Sequence, residues 1–233
     1  MAQCGVASRR KCEALILQGK VRVNGTTISQ LGTLIDPEKD DISVAGHTLS
    51  PPDTKQYIIL NKPKGIIVTR HDTHGRKTVM DLLGDKALPG VFPVGRLDKD
   101  SEGLLLLTND GELAHRLIHP RYEIEKEYIA KVKGTVPPET IRNLGAGVRL
   151  EDGVTLPSQV SRVRREKDTT TFHIVIREGK KREIRRMCEH VGHPVLKLTR
   201  IRIGPLKLGQ VKKGMSRILS KRELAQLQSA VSL

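Results

Sequence analysis

Gly95-Arg96-Leu97-Asp98-Lys99-Asp100-Ser101-Glu102-Gly103 runs directly into Leu104-Leu105-Leu106-Leu107 and then Thr108-Asn109-Asp110-Gly111. Four leucines between a glycine and an Asn-Asp-Gly turn are too few for a helix, so they read as a strand buried on both faces. A carboxylate on a loop steadied by such a strand can be held rigidly at a cleft, which makes Asp98 a candidate for chemistry there. The residues alone leave a second reading open, in which Asp98 is a surface carboxylate paired with Arg96 or Lys99.

Other side chains of the right type lack the right company. Cys188-Glu189-His190 with His193, and His71 with His74, suggest metal ligands, but the second Cys/His cluster that a closed zinc site needs is missing. Cys4, Cys12 and Cys188 are odd in number and widely spaced, with neither a disulfide framework nor a CxxC pair, which fits a reducing compartment. There is no phosphate-cradling P-loop and no dinucleotide fingerprint, and Gly32 and Gly84 are turn glycines.

The elements that must position Asp98 are legible from periodicity. Ser8 precedes Cys12, Leu15 and Ile16 at helical spacing, and Gly19 ends the run, so a short helix capped by Ser8 is expected. Arg9, Arg10 and Lys11 crowd its first turn, where the helix dipole disfavours cations. Val21 and Val23, Asn24-Gly25 and Ile28 read as a β-hairpin, and Asp41 to Val44 as another strand. Ser50-Pro51-Pro52-Asp53 breaks the pattern. Beyond it, strands are expected at Tyr57 to Pro63, at Tyr128-Ala130-Val132, at Phe172-Ile174-Ile176 and from Val195 to Ile203. Helices are expected from Glu112 to Ile118 with Pro120 closing, from Lys181 through Ile184, Met187, Cys188 and Val191, and from Ser220 through Leu224 and Leu227. Strands and helices mix without strict βαβ alternation, so the class is α+β with a mixed or antiparallel sheet. There is no internal repeat.

Charge narrows the partner. Lys and Arg number 41 against 26 Asp and Glu, a formal charge of +15 over 233 residues. Such an excess attracts polyanions, with nucleic acid ahead of an anionic membrane because no long basic amphipathic helix is present. No run approaches the roughly 20 apolar residues of a membrane span, and no secretory signal is evident, so a cytoplasmic location is expected. Three Tyr, two Phe and no Trp leave few stacking platforms, so RNA would be gripped mainly through phosphates and shape.

The stretch around Asp98 resembles the catalytic motif of RNA pseudouridine synthases. Asn61-Lys62-Pro63-Lys64-Gly65, Glu112 to Leu117, His119-Pro120, Lys126-Glu127-Tyr128 and Glu178 to Met187 follow in the family's order. Gly5, Ser8-Arg9-Arg10, Leu15-Ile16, Gly19-Lys20-Val21 and Val23-Asn24-Gly25 resemble the small RNA-binding module shared by a ribosomal protein and tyrosyl-tRNA synthetases. The family's pattern starts several residues earlier, so this module is expected to be N-terminally shortened. Ala7-Ser8-Arg9-Arg10 and Arg149 to Gly153 look most like the ribosomal branch acting on large-subunit (23S) RNA; the alternatives are the same reaction on small-subunit (16S) RNA and a non-catalytic RNA-binding ribosome-assembly factor. The resemblance implies a small α/β module over residues 1–50, a linker over 51–56, and a catalytic domain over 57–233 on a mixed, largely antiparallel sheet.

It further implies roles. Asp98 would attack either the uracil ring or the ribose anomeric carbon, and Arg185 would be its ion-pair partner. Tyr128 would lie over the target base, although a tyrosine on the inner face of a strand could equally be core. Arg96 would assist extraction of the target nucleotide, which costs a few kcal/mol of unstacking. Lys126, Arg182 and Arg186, with Ser8, Arg9, Arg10, Lys11 and Lys20 of the module, would contact RNA. No cofactor is expected, because the uracil is detached, turned and reattached without redox partner, metal or nucleotide. The expected partner is ribosomal RNA, 23S or a large-subunit assembly intermediate, bound by a monomer and without a membrane. A protein neutralising about 6 phosphates should lose roughly 10³-fold in RNA affinity between 50 and 200 mM salt, which filter binding across that range measures.

Overall fold

Alternation along two neighbouring strands divides the interior of the larger unit into two cores. In the computed structural model, which describes residues 1–2, 4–37, 39–50 and 54–233, the leucine run lies on a strand whose seven residues are all buried. Leu105 and Leu107 enter one apolar cluster with Ile58, Leu60, Tyr128, Phe172 and Ile184. Leu104 and Leu106 enter another with Tyr57, Ile59, Leu113, Leu117 and Leu227. Successive side chains of a strand point to opposite faces, so a continuous apolar run requires cover on both.

In chain order the elements are α1 (Arg9–Leu17), β1 (Val21–Val23), β2 (Thr26–Ile28), β3 (Ile42–Val44), β4 (His47–Thr48), β5 (Tyr57–Lys62), α2 (Val79–Leu83), β6 (Phe92–Pro93) and β7 (Glu102–Thr108). There follow α3 (Gly111–Ile118), β8 (Lys126–Lys133), α4 (Pro138–Ala146), β9 (Arg149–Leu150), β10 (Gly153–Val154), β11 (Gln159–Arg165) and β12 (Thr169–Ile176). The chain closes with α5 (Glu183–His190), β13 (Val195–Ile203), β14 (Leu206–Lys207), β15 (Ser216–Ile218) and α6 (Lys221–Ser229). The main sheet has the order β11-β12-β8-β13-β7-β5-β15, with β14 on β13 and β6 on β7. Its pairs are antiparallel except β13 with β7, so the sheet is mixed and largely antiparallel as expected. Buried residues of α2, α4 and α5 join the first core, and those of α3 and α6 the second. Among the described residues no helix is long and apolar enough to cross a membrane.

The small unit follows its sequence closely. Ser8 caps α1 by accepting a hydrogen bond from Lys11 N at 3.3 Å, and Cys12 is its buried residue. Asn24 and Gly25 both take positive φ, 50° and 80°, the geometry a two-residue hairpin turn between β1 and β2 requires. The short sheet runs β2-β1-β3-β4. Residues 51–53 of the expected linker lie outside the described residues. Thr54 and Gln56 are held by Asn109, which donates to Thr54 O at 3.0 Å and accepts from Gln56 N at 2.8 Å.

Periodicity did not reveal α2, α4 or β11. β11 shows why: its register with β12 shifts between Ser161 and Arg164, and Arg162 takes φ 52°. The bulge lets Val160 and Val163, three apart, both pack against the first core, a spacing that alternation cannot show.

The parallel contact sets a tight constraint. Arg200 faces Gly103 across β13 and β7, and Gly103 has φ 103°. A Cβ there would stand 2.2 Å from Arg200 O and 2.8 Å from Arg200 N, inside backbone that cannot withdraw. Gly103→Ala should therefore cost at least ~3 kcal/mol of unfolding free energy, or prevent folding, as read by urea denaturation.

Candidate active site

The loop before β7 is fastened from below by a buried lysine. Lys62 ends β5 opposite Gly103 and is fully buried. Its Nζ donates to the carbonyl oxygens of Pro63 at 3.1 Å, Asp98 at 3.1 Å and Ser101 at 2.8 Å, which engages all three donors of an ammonium. Burial lowers Lys62 to about 8, while the charges of Asp100, Asp98 and Glu102 oppose that fall. Ser101 N donates to Asp98 O at 3.0 Å and Gly65 N to Lys99 O at 2.7 Å, so both sides of the turn are tied.

Three carboxylates alternate along this loop, and the surrounding cations are shared among them unequally. Glu102 meets Lys213 at 2.8 Å and Lys197 at 3.5 Å. Its burial favours the protonated form, but the Lys213 hydrogen bond and both ammonium charges hold it below the usual carboxylate range. Asp100 meets Arg182 at 3.2 Å and Arg185 at 3.3 Å, and these likewise outweigh its burial. Asp98 has one ionic neighbour, Arg182 Nη1 at 3.9 Å, and neither carboxylate oxygen accepts a hydrogen bond from the described residues. With 38% of its side chain exposed, Asp98 is anchored through its main chain and open at its carboxylate.

The ion pair anticipated between Arg185 and Asp98 is instead made to Asp100. Arg185 lies on the buried stripe of α5 with Ile184 and Cys188, and it braces main chain: Nη2 donates to Asp100 O at 3.0 Å and Nη1 to Val195 O at 3.3 Å. Nη2 also lies 3.4 Å from Ser101 Oγ. Arg182 precedes the helix with φ 52°, and from there its guanidinium reaches over the loop to both Asp100 and Asp98. Arg185 nonetheless feels the charge of Asp98 as well as that of Asp100.

Tyr128 sits on β8 opposite Arg200 and Ile174, 8% exposed, in the apolar cluster that also holds Leu97 and Ile184. It is thus core at its ring, and its hydroxyl makes no hydrogen bond to the described residues. Lys126 begins the same strand, half-buried, with Nζ 3.5 Å from Glu178 O; burial and the charge of Arg200 lower it and Glu183 opposes. Arg186 is held by both oxygens of Asp152, at 2.7 and 3.0 Å, in the turn between β9 and β10. Arg96 is exposed and without an ion pair among the described residues, as are Arg9, Arg10, Lys11 and Lys20 of the small unit. Of the expected cations, then, Lys126, Arg182 and Arg186 already have protein partners.

Sequence reasoning overlooked Lys62, Asp100 and Arg200. The signal for Lys62 was a charge at the end of an otherwise apolar strand, just before a proline. Arg200 is 4% exposed, donates from Nε to Leu104 O at 2.8 Å, and has no partner for Nη2 among the described residues. Cys188 lies in the apolar core, where burial pushes its thiol up to about 12 against the opposing Arg185, so it is an inert packing residue.

The described residues thus form a mixed sheet carrying a loop-borne aspartate, preceded by a small helix-and-hairpin unit. A family profile described as RNA pseudouridylate synthase matches residues 56–190, and one described as S4 domain matches residues 1–42. The chain is 46% identical to an uncharacterised RNA pseudouridine synthase of Aquifex aeolicus, over 100% of this chain and 93% of that protein. It is 44% identical to ribosomal large subunit pseudouridine synthase B of Bacillus subtilis, over 98% of this chain and 93% of that protein. A crystal structure of a pseudouridylate synthase superposes with a TM-score of 0.70 at 28% identity, covering 97% of this chain and 96% of that one. The chain belongs to the RNA pseudouridine synthase family.

One carboxylate near the site gives a pH signature. Glu183 is buried at the start of α5; Oε2 accepts from Lys180 N at 3.0 Å and Oε1 has no hydrogen bond among the described residues. Burial first, then the like charge of Glu178, raises it to about 7. Because the folded value lies above the unfolded one, the stability it contributes is complete below pH ~4.5 and is lost as pH rises through about 7. Urea titrations at pH 5 and 8 should show wild-type protein losing on the order of 2 kcal/mol more than Glu183→Gln.

Proposed function

We propose that this protein converts uridine to pseudouridine in large-subunit (23S) ribosomal RNA, with Asp98 as the nucleophile. The reading rests on one observation above others: of the carboxylates of Asp98, Asp100 and Glu102, only that of Asp98 has both oxygens free of hydrogen bonds from the described residues, while its main chain is clamped by Lys62. In the reaction the bond between C1′ and N1 of the uridine breaks, C1′ bonds C5 of the turned ring, C5 gives up its proton to solvent, and N1, left with the electron pair of the broken bond, takes a proton up, so the product is an isomer of the substrate. Asp98 would carry the detached fragment covalently, whether it attacks the base or the sugar. Tyr128, on β8 with β13 between it and β7, has its ring in the core and would meet the base at its hydroxyl edge. Arg182 and Arg185 balance the carboxylates on the loop.

Arg96, exposed beside Asp98, would hold the extracted nucleotide, since a guanidinium can stack and bind phosphate at once. Lys126 and Arg186 reach RNA only by sharing or exchanging their present partners. Residues 1–50 act as a separate grip, presenting Ser8, Arg9, Arg10, Lys11 and Lys20, joined through 51–56 to a catalytic unit of 57–233. The protein acts as a monomer on 23S RNA or on a large-subunit assembly intermediate. The 23S assignment is supported by the names of the Bacillus, Pseudomonas and Vibrio relatives.

Incubation with ribosomal RNA tritiated at uracil C5 should release tritium, and Asp98→Asn should reduce release to background while RNA affinity stays near wild type. Mapping pseudouridines in 23S and 16S RNA from cells with and without the gene tests the address. A missing site in 16S alone would overturn the 23S assignment.

A further inference from the structure

The segment Glu112 to Leu117 with His119-Pro120 contains side chains with no part in the chemistry above. They form an exposed ring cluster in a chain that has three Tyr, two Phe and no Trp in all. His115 and His119, one turn apart at the end of α3, have centroids 5.1 Å apart with planes at 50°. Tyr122 meets both edge-on, at 6.5 and 6.4 Å. None of these pairs stacks face to face, and because Arg121 lies over the Tyr122 ring, the surfaces open to a ligand are the two histidines and the Arg121 guanidinium. His115, His119 and Arg121 are exposed, and Tyr122 packs its inner side against the second core.

The cluster is built rigidly. His119 caps α3 and opens a short 3-10 turn, Pro120–Tyr122, and its Nδ1 accepts from Arg121 N at 3.3 Å. The neutral ring therefore carries its proton on Nε2. Arg121 lies 4.6 Å over the Tyr122 ring and donates to its hydroxyl. Arg116, 5.9 Å from that ring, is pinned by Glu112 and by the carbonyls of Val231 and Ser232. Such rigidity costs little further entropy when a ligand stacks.

Its position ties it to the reaction site. Ile118, between the two histidines in sequence, lies 3.8 Å from the position a Cβ would take on Gly95. Gly95 is three residues from Asp98, a reach of about 10 Å in extended chain. The spacing of two histidines would also suit a metal, but among the described residues no group of three His, Cys, Asp or Glu could hold one.

We infer that His115, His119 and Tyr122, with the Arg121 guanidinium, form a stacking platform for an unpaired base of the RNA, close to the target uridine. Aromatic faces hold bases with little regard to sequence, and a guanidinium plane extends the surface. The platform supplies a single-strand contact that the remainder of the aromatic-poor chain lacks. It rests on the RNA substrate proposed above.

The test uses the full chain and unmodified 23S RNA transcribed in vitro, with binding measured from 50 to 200 mM salt. His115→Ala/His119→Asn removes both rings, while the Asn oxygen can still accept from the residue-121 amide. Affinity should weaken about 5- to 150-fold at every salt, with the salt slope unchanged, because stacking neutralises no phosphate. His115→Tyr should bind like wild type and His115→Ala more weakly; both suit an exposed helical position, and unchanged thermal unfolding controls for folding. Wild-type affinity in the double variant, a shallower salt slope, or equal weakening by His115→Tyr and His115→Ala would each overturn the platform. Wild-type protein that binds the transcript without releasing tritium overturns the proposed reaction instead.

Discussion

The buried ammonium of Lys62 organises the candidate site. Removing a cation from water costs several kcal/mol even after the protein relaxes, so it persists only where every proton finds an acceptor and opposite charge is near. Here the acceptors are main-chain carbonyls of Pro63, Asp98 and Ser101, and the opposite charge comes from Asp100, Asp98 and Glu102. Because the acceptors belong to two separate chain segments, the same contacts fix the turn that carries Asp98. The strand beneath is immobile for a different reason: its leucines are buried on both faces of the sheet. A polar anchor thus rests on an apolar one.

Helix α5 distributes positive charge with similar economy. Arg182 spans Asp100 and Asp98, Arg185 braces the main chain of the same loop, and Arg186 grips Asp152 in the β9–β10 turn. Three arginines within five residues reach distinct partners because one precedes the helix and the others leave its first turns in different directions. The outcome at the loop is selective: cations saturate Asp100 and Glu102 and leave the carboxylate of Asp98 accessible. A net charge of +15 therefore does not mean that the site is simply positive. Among the described residues, Arg96 has no ion pair, nor do Arg9 and Arg10, which the first turn of α1 concentrates against the helix dipole. That local cost is intelligible if an external polyanion completes the balance.

Much of this was legible in residues alone, for identifiable reasons. The helix capped by Ser8, the Asn24-Gly25 hairpin, the leucine strand and α5 all carry strong local signals: caps, positive-φ turn residues and clear apolar periods. The α+β class and the place of Asp98 before a buried strand followed from them. Elements whose apolar pattern is weak, such as β11 with its bulge and the five-residue α2, were not recoverable, because bulges and brief turns break the period on which such reading depends.

By itself the sequence narrowed which residues could do chemistry and pointed to a polyanionic partner, since side-chain type and net charge need no coordinates. The tertiary structure alone decided who pairs with whom. Lys62 lies 36 residues from Asp98, and Arg185 85 residues from Asp100. Neither spacing predicts contact, because the antiparallel β5–β7 pair and the helix docked on the sheet bring these segments together. It moved the Arg185 ion pair from Asp98 to Asp100, sealed the ring of Tyr128 into the core, and tied Arg186 to Asp152. These outcomes depend on competition among several carboxylates and cations at distances of a few ångströms, which linear order cannot rank.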